Sequence, residues 1–179
     1  MILTQSGDHR AFSHLYDRFA PRLNAFFYKM LWSDSELAED HVHDLFTKIV
    51  DRPDLFKEGN LVKAWLFQIA SNMCKNTYRK RQFETVYLEH LKSQGLQITT
   101  MDSKLDEELQ MNLITSALKL LSEDDRSLFL LRYQQEIGIQ ELANIFEIPE
   151  GTVKSRLFAL RKHLANSIKD EIKPVSHGK

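Results

Sequence analysis

The chain has 179 residues, 42% of them hydrophobic and 27% charged, with a net charge of −1. That length allows one domain or two small ones with packed cores, and the even charge balance excludes a uniformly basic nucleic-acid coat while leaving room for local basic patches. Cys74 is the one cysteine, which excludes an internal disulfide and a multi-thiolate zinc site; no run nears the ~18 apolar residues of a membrane span, and "MILTQSGDHR" lacks the basic start and apolar core of a signal peptide. The expectation is a soluble cytoplasmic protein in a reducing compartment.

Apolar spacing is helical nearly throughout. Phe12, Leu15, Tyr16, Phe19 and Leu23 form one stripe; Ala38, Val42, Leu45, Phe46 and Ile49 form a second. The second helix carries "AEDHVHDLF", three acids and two histidines close enough to suggest a metal or acid/base site. At 100° per residue His41 and His43 stand about 200° apart, so they cannot share one ion. Asp40, His43 and Asp44 do share a face. A helical-bundle metal site would need a second helix with matching Glu-x-x-His ligands, and none is present. No metal is expected. Ser33 to Thr47 holds five acids and no Lys or Arg, which suits an exposed surface for docking a partner.

Leu61 to Tyr78 reads as a third helix with Trp65, Leu66, Ile69, Ala70 and Met73 on its apolar side. It ends in "KNTYRKRQ", with four cations and no acid. Cations at a helix C-terminus complement its dipole. With Trp65, Gln68 and Asn72 upstream and Asn76 within it, the same cluster also suits single-stranded nucleic acid, the backbone gripped by charge and the bases by stacking. Polar "SQGLQITTMDS" reads as a linker, with Thr85 to Leu91 open to helix or linker. Helical spacing returns from Leu105, and "SEDD", Ser122 to Asp125, is a capping box opening the next helix. The fold class is all-α: a helical domain over 1–83, a flexible linker over 84–104, a smaller helical domain over 105–170, and a tail over 171–179.

"EIGIQELANIFEIPEGTVKSRLFALRKHL", Glu136 to Leu164, has the form of a helix-turn-helix. Ile139, Leu142, Ala143 and Phe146 form the inward stripe of the first helix. Pro149 suits the start of the second, where its missing N–H costs nothing. Val153, Leu157, Leu160 and Leu164 line one face of that helix. The opposite face carries Thr152, Lys154, Ser155, Phe158, Ala159 and Lys162, with Arg156 and Arg161 at the flanks. From Pro149 to Lys169 there are five Lys or Arg against one acid. Such a face suits a DNA major groove, where cations meet phosphates or guanine and Phe meets a thymine methyl.

"FSHLYDRFAPRL", "AEDHVHDLFTKI", "KAWLFQIASNMCKN" and "LSEDDRSLFLLRY…IGIQELANIFEIPEGTVKSRLFALRK", in this order over about residues 11–165, carry a resemblance. The chain resembles the extracytoplasmic-function (ECF) sigma factors of bacterial RNA polymerase. The resemblance implies that 1–83 is sigma region 2, which docks on core polymerase and melts the minus-ten element, and 105–170 is region 4, which binds the minus-thirty-five element. It implies polymerase contacts at Glu39, Asp40, His43 and Asp44. For the melted strand it implies Lys48, Asn72, Asn76 and Arg79, with Phe56 and Lys57 in the loop "PDLFKEGN" that receives a flipped base. For the duplex it implies Lys154, Ser155 and Phe158, supported by Thr152 and Arg156, and the reading of the polar face adds Lys162.

Three positions depart from the family pattern. Ala159 stands where some relatives carry Arg, His43 where Gln is commoner, and His41 where an apolar residue is commoner. The implied partners are core RNA polymerase, promoter DNA and an anti-sigma factor, with no catalytic residue, cofactor or small-molecule substrate. The alternative is a helix-turn-helix regulator acting without being a polymerase subunit, but this leaves "AWLFQIASN" and its basic end unexplained.

Overall fold

The computed structural model describes residues 8–56, 59, 61–92, 117, 118 and 120–172. The α-helices among them are α1 (His9–Met30), α2 (Ser35–Asp51), α3 (Val62–Lys92), α4 (Glu123–Tyr133), α5 (Ile139–Phe146) and α6 (Glu150–Ile172), with a 3-10 turn at Pro53–Leu55. No strand occurs among the described residues. The all-α expectation holds; α1–α3 form one helical body and α4–α6 a second, and the two pack on one another where α1 and α3 meet α4 and where α3 meets α5. Thr85 to Leu91 belong to α3, which runs on to Lys92. The rest of the expected linker, Leu105, Leu109 and Leu113, and Lys57 lie outside the described residues.

Three of the helices start at a side-chain cap, α1 at Asp8, α2 at Asp34 and α4 at Ser122, whereas α5 starts at Gly138 without one. Asp8 accepts from the backbone N–H of Arg10 and Ala11, and Asp34 accepts from that of Leu37 at 3.0 Å, satisfying donors that have no intrahelical partner. Ser122 accepts from Asp125 N–H at 3.2 Å, as the capping box requires. Asp125 reaches back to the Ser122 hydroxyl, at 2.9 Å, rather than to its backbone.

The apolar stripes turn inward as their spacing dictates. Ala38, Val42, Leu45, Phe46 and Ile49 of α2 are buried, as are Leu23, Phe26 and Phe27 of α1 and Leu66, Phe67 and Ala70 of α3. Burying each of the larger side chains contributes about 1.5–3 kcal/mol. Cys74 is fully buried in this core, and burial pushes its thiol pKa far up, away from thiolate chemistry.

The α1–α2 turn is strained. Trp32 and Ser33 both take left-handed backbone, φ 58° and 64°, at about 1–2 kcal/mol each for non-glycine residues. Side chains from α3 hold it. The Arg81 guanidinium lies 4.0 Å from the Trp32 ring centroid, and the Tyr78 ring meets Trp32 edge-on at 4.6 Å.

Candidate partner and nucleic-acid interfaces

The acidic helix presents one outward face. Glu39, Asp40, His43 and Asp44 are all exposed. None of the three acids forms an ion pair with a described residue. Beside them a groove of about 560 Å³ runs between α1 and α2, lined by Tyr16, Asp17, Pro21, Asn24, Glu39 and His43 among others. Pro21 lies inside α1 and has no N–H, so the Asp17 carbonyl loses its helical partner there. The Asn24 Oδ1 is buried in this wall without a hydrogen bond.

His41 goes the other way. It is buried, with Nδ1 donating to Leu37 O and Nε2 meeting Thr77 Oγ1, both at 2.8 Å. Its ring lies edge-on to Phe27 at 5.2 Å. His41 is therefore a polar rivet between α2 and α3, while His43 belongs to the surface. A His41→Leu variant is expected to lose about 1–3 kcal/mol, because the hydrogen bond that ties α2 to the Thr77 hydroxyl is lost and that hydroxyl is left with Met73 O at 3.1 Å, whereas His43→Ala should stay within about 0.5 kcal/mol. Urea unfolding of both variants measures this.

Four of the expected melted-strand positions stand at the surface: Lys48 on α2 and Asn72, Asn76 and Arg79 on α3. Phe56 does not. It is buried, with its ring edge-on to Trp65 at 5.1 Å, and so anchors the loop to α3. Gly59, two residues before α3's approach at Leu61, has φ 92° and open space where a Cβ would stand, so its backbone geometry rather than crowding favours glycine.

In α6 the two faces separate cleanly. Val153, Leu157, Leu160 and Leu164 are buried; Thr152, Lys154, Ser155, Phe158, Ala159 and Lys162 are exposed. Phe158 is 73% exposed, a large apolar ring with little cover. In α5, Leu142 is fully buried and Ile139, Ala143 and Phe146 are half-buried. Glu147 closes α5 in left-handed backbone, and α6 begins directly after Pro149. Lys154 lies 3.8 Å from Glu150, one turn earlier on the same exposed face. Arg156 is half-buried, with its guanidinium on Asp125.

The Sigma-70 region 2 model matches residues 15–84 and the Sigma-70 region 4 model matches residues 111–164. The chain is 28% identical over 176 residues to the ECF RNA polymerase sigma factor SigW of Bacillus subtilis, covering 93% of each chain. It is 26% identical to the ECF RNA polymerase sigma-E factor of Escherichia coli K12, covering 94% of this chain and 92% of that one. The solved sigma factor RpoE, in complex with the anti-sigma factor NepR from Bartonella quintana, matches at 29% identity and a TM-score of 0.72, over 89% of this chain and 98% of that one. CnrH, solved with the cytosolic domain of CnrY, shares the fold at 21% identity and a TM-score of 0.70, with 94% of each chain covered.

The chain is an ECF sigma factor. As such it works with RNA polymerase in promoter-directed initiation of transcription. The region 2 match also accounts for the front half, which a plain helix-turn-helix regulator leaves without a purpose.

In this sigma factor the two helical bodies touch through polar side chains that the spacing of apolar residues does not reveal. Arg126 of α4 is buried and, among the described residues, donates to Leu118 O at 2.9 Å, Leu121 O at 3.3 Å, Met30 O at 3.4 Å and Tyr78 Oη at 2.8 Å. The last two belong to the region 2 body. Tyr78 in turn donates to Met30 O, and burial pushes its phenol up to about 12. Ser71 and Ser127 share a buried hydrogen bond at 2.8 Å. Arg22 donates to Gln135 Oε1 at 3.1 Å, and Lys75 pairs with Asp124 at 2.9 Å while lying 5.6 Å from the Phe146 ring centroid. Lys75, one of the four cations of the α3 cluster, is thus engaged with the region 4 body.

Proposed function

We propose that this sigma factor divides its work between its two bodies, residues 1–83 docking on core polymerase and melting the minus-ten element, residues 105–170 reading the minus-thirty-five duplex. The observation that carries this is the chemical opposition of two exposed faces. The α2 face holds Glu39, Asp40 and Asp44, none of them ion-paired with a described residue, and so suits a basic protein ridge. The α6 face holds Lys154, Ser155, Phe158 and Lys162 with Thr152 at its start, and so suits phosphates and base edges.

The loop around Phe56 and Lys57, with Lys48, Asn72, Asn76 and Arg79, is the surface for the melted strand. Because Phe56 lies in the core, its part is to hold the loop while other groups meet the flipped base. The protein acts by binding and placement, in the bacterial cytoplasm. By likeness to the NepR-bound relative, an anti-sigma partner holds it inactive.

The deciding test is run-off transcription from genomic DNA with core polymerase. Starts that appear only when the protein is added support the reading, and their absence would sink it. For the docking face, neutralising Glu39, Asp40 and Asp44 together should weaken core-polymerase binding about tenfold near 0.1 M salt, and less as salt rises, because charges at an interface rim act mainly through long-range attraction. Affinity unchanged at low salt would place docking elsewhere.

A further inference from the structure

One carboxylate joins the cap of α4 to the flank of α6. Asp125 Oδ2 accepts from the Ser122 hydroxyl at 2.9 Å. Its other oxygen, Oδ1, accepts from Arg156 Nε at 3.1 Å and Nη2 at 2.6 Å. Both Arg156 and Asp125 side chains are 31% exposed, while Lys154, Ser155 and Phe158 beside Arg156 stand in the open.

We infer that Arg156 is a positioning residue: through Asp125 it fixes the rotation of α6 about its axis, in place of the DNA contact that the family resemblance implies for it. This rests on the reading of α6 as the duplex-binding helix.

The physical need comes from the packing. α6 is seated by Val153, Leu157, Leu160 and Leu164, all aliphatic. Apolar burial is non-directional, so it decides which face turns inward but resists a small rotation only weakly. A helix with side chains has a radius of about 5–6 Å, so a rotation of about 15° moves an outer atom by about 1.5 Å. A recognition site must hold its groups to about 0.5 Å. Two N–H groups of a planar guanidinium on one oxygen are directional where the aliphatic stripe is not. The other end of the link is firm as well, because Asp125 is itself held by the Ser122 cap.

The rival role for Arg156 is a phosphate contact, with Asp125 an incidental partner. The two roles give opposite signs for Asp125→Asn. Releasing a cation and removing a negative charge would strengthen a phosphate contact; losing the clamp would weaken recognition. The test uses holoenzyme assembled from core polymerase and the full chain, on a promoter fragment identified by run-off, with circular dichroism and core-polymerase binding confirming that each variant folds.

Asp125→Asn, Arg156→Gln and Arg156→Lys are each expected to lower duplex-promoter affinity about tenfold. The Lys variant keeps the charge and loses the fork. Asp125→Asn combined with Arg156→Gln should be no worse than either alone, as for two groups acting as one. The slope of log affinity against log salt should stay unchanged in Arg156→Gln, whereas Lys154→Gln should lose about 0.9 of a unit as a phosphate contact does. Asp125→Asn binding as well as or better than the parent, Arg156→Lys binding like the parent, or a slope loss of about 0.9 in Arg156→Gln would overturn the inference. If Lys154→Gln and Phe158→Ala bind normally, the duplex reading of α6 fails and the inference falls with it; if they bind poorly while Asp125→Asn does not, only the inference falls.

Discussion

An Arg126→Met variant should lose about 3–5 kcal/mol of stability and melt roughly 10 °C lower, the cost of breaking a buried charge-assisted network and stranding its acceptors. The guanidinium serves Leu118 O and Leu121 O at the entry to α4, and Met30 O and Tyr78 Oη across the contact between the two bodies. Methionine fills similar space but donates nothing, so these oxygens are buried with fewer partners.

Tyr78→Phe separates the two halves of this effect. It removes the hydroxyl between Arg126 and Met30 O while keeping the ring against Trp32, and should cost about 1–2 kcal/mol. The tyrosine also gives the network a pH signature. Its phenol is raised in the folded state, so its contribution is fully present below about pH 10, the usual phenol value, and is lost as pH rises towards about 12. Thermal melts of parent and Tyr78→Phe between pH 9 and 12 should converge as pH climbs. Arg126→Met melting like the parent would mean that the network contributes nothing net.

The second large effect concerns function without stability. Phe158→Ala should leave the melting temperature of the free protein nearly unchanged, because the ring is 73% exposed. The same change should lower sigma-dependent transcription by about 10–100-fold, the equivalent of losing about 1.5–3 kcal/mol of aromatic burial against thymine methyls and base edges. Paired run-off and melting measurements decide the point. Unchanged transcription would show that the exposed ring does not meet promoter DNA.

Much of the fold can be read in the chain because helical burial leaves a periodic trace. The α2 stripe and the two faces of α6 follow from 100° per residue alone. His41 could have been placed too. It lies about 60° from Ala38 and 40° from Leu45, inside the buried arc, but the density of charge around it drew attention to chemistry instead. Phe56 misleads for a similar reason: membership of a loop implies exposure, while its ring is buried edge-on to Trp65.

The contact between the two bodies has no such trace. Arg22, Ser71, Lys75, Asp124, Arg126 and Gln135 are ordinary polar residues at ordinary spacings, and only their juxtaposition over long separations makes them partners. The same holds for Arg156. Its flank position left both solvent and protein open to it, and Asp125, 31 residues earlier, decides between them.

Because one covalent chain carries both bodies, their contact is unimolecular. Its population does not depend on how much protein is present, so dilution cannot open it. A competitor can, if it offers Arg126 other oxygens, Lys75 another anion or Gln135 another guanidinium.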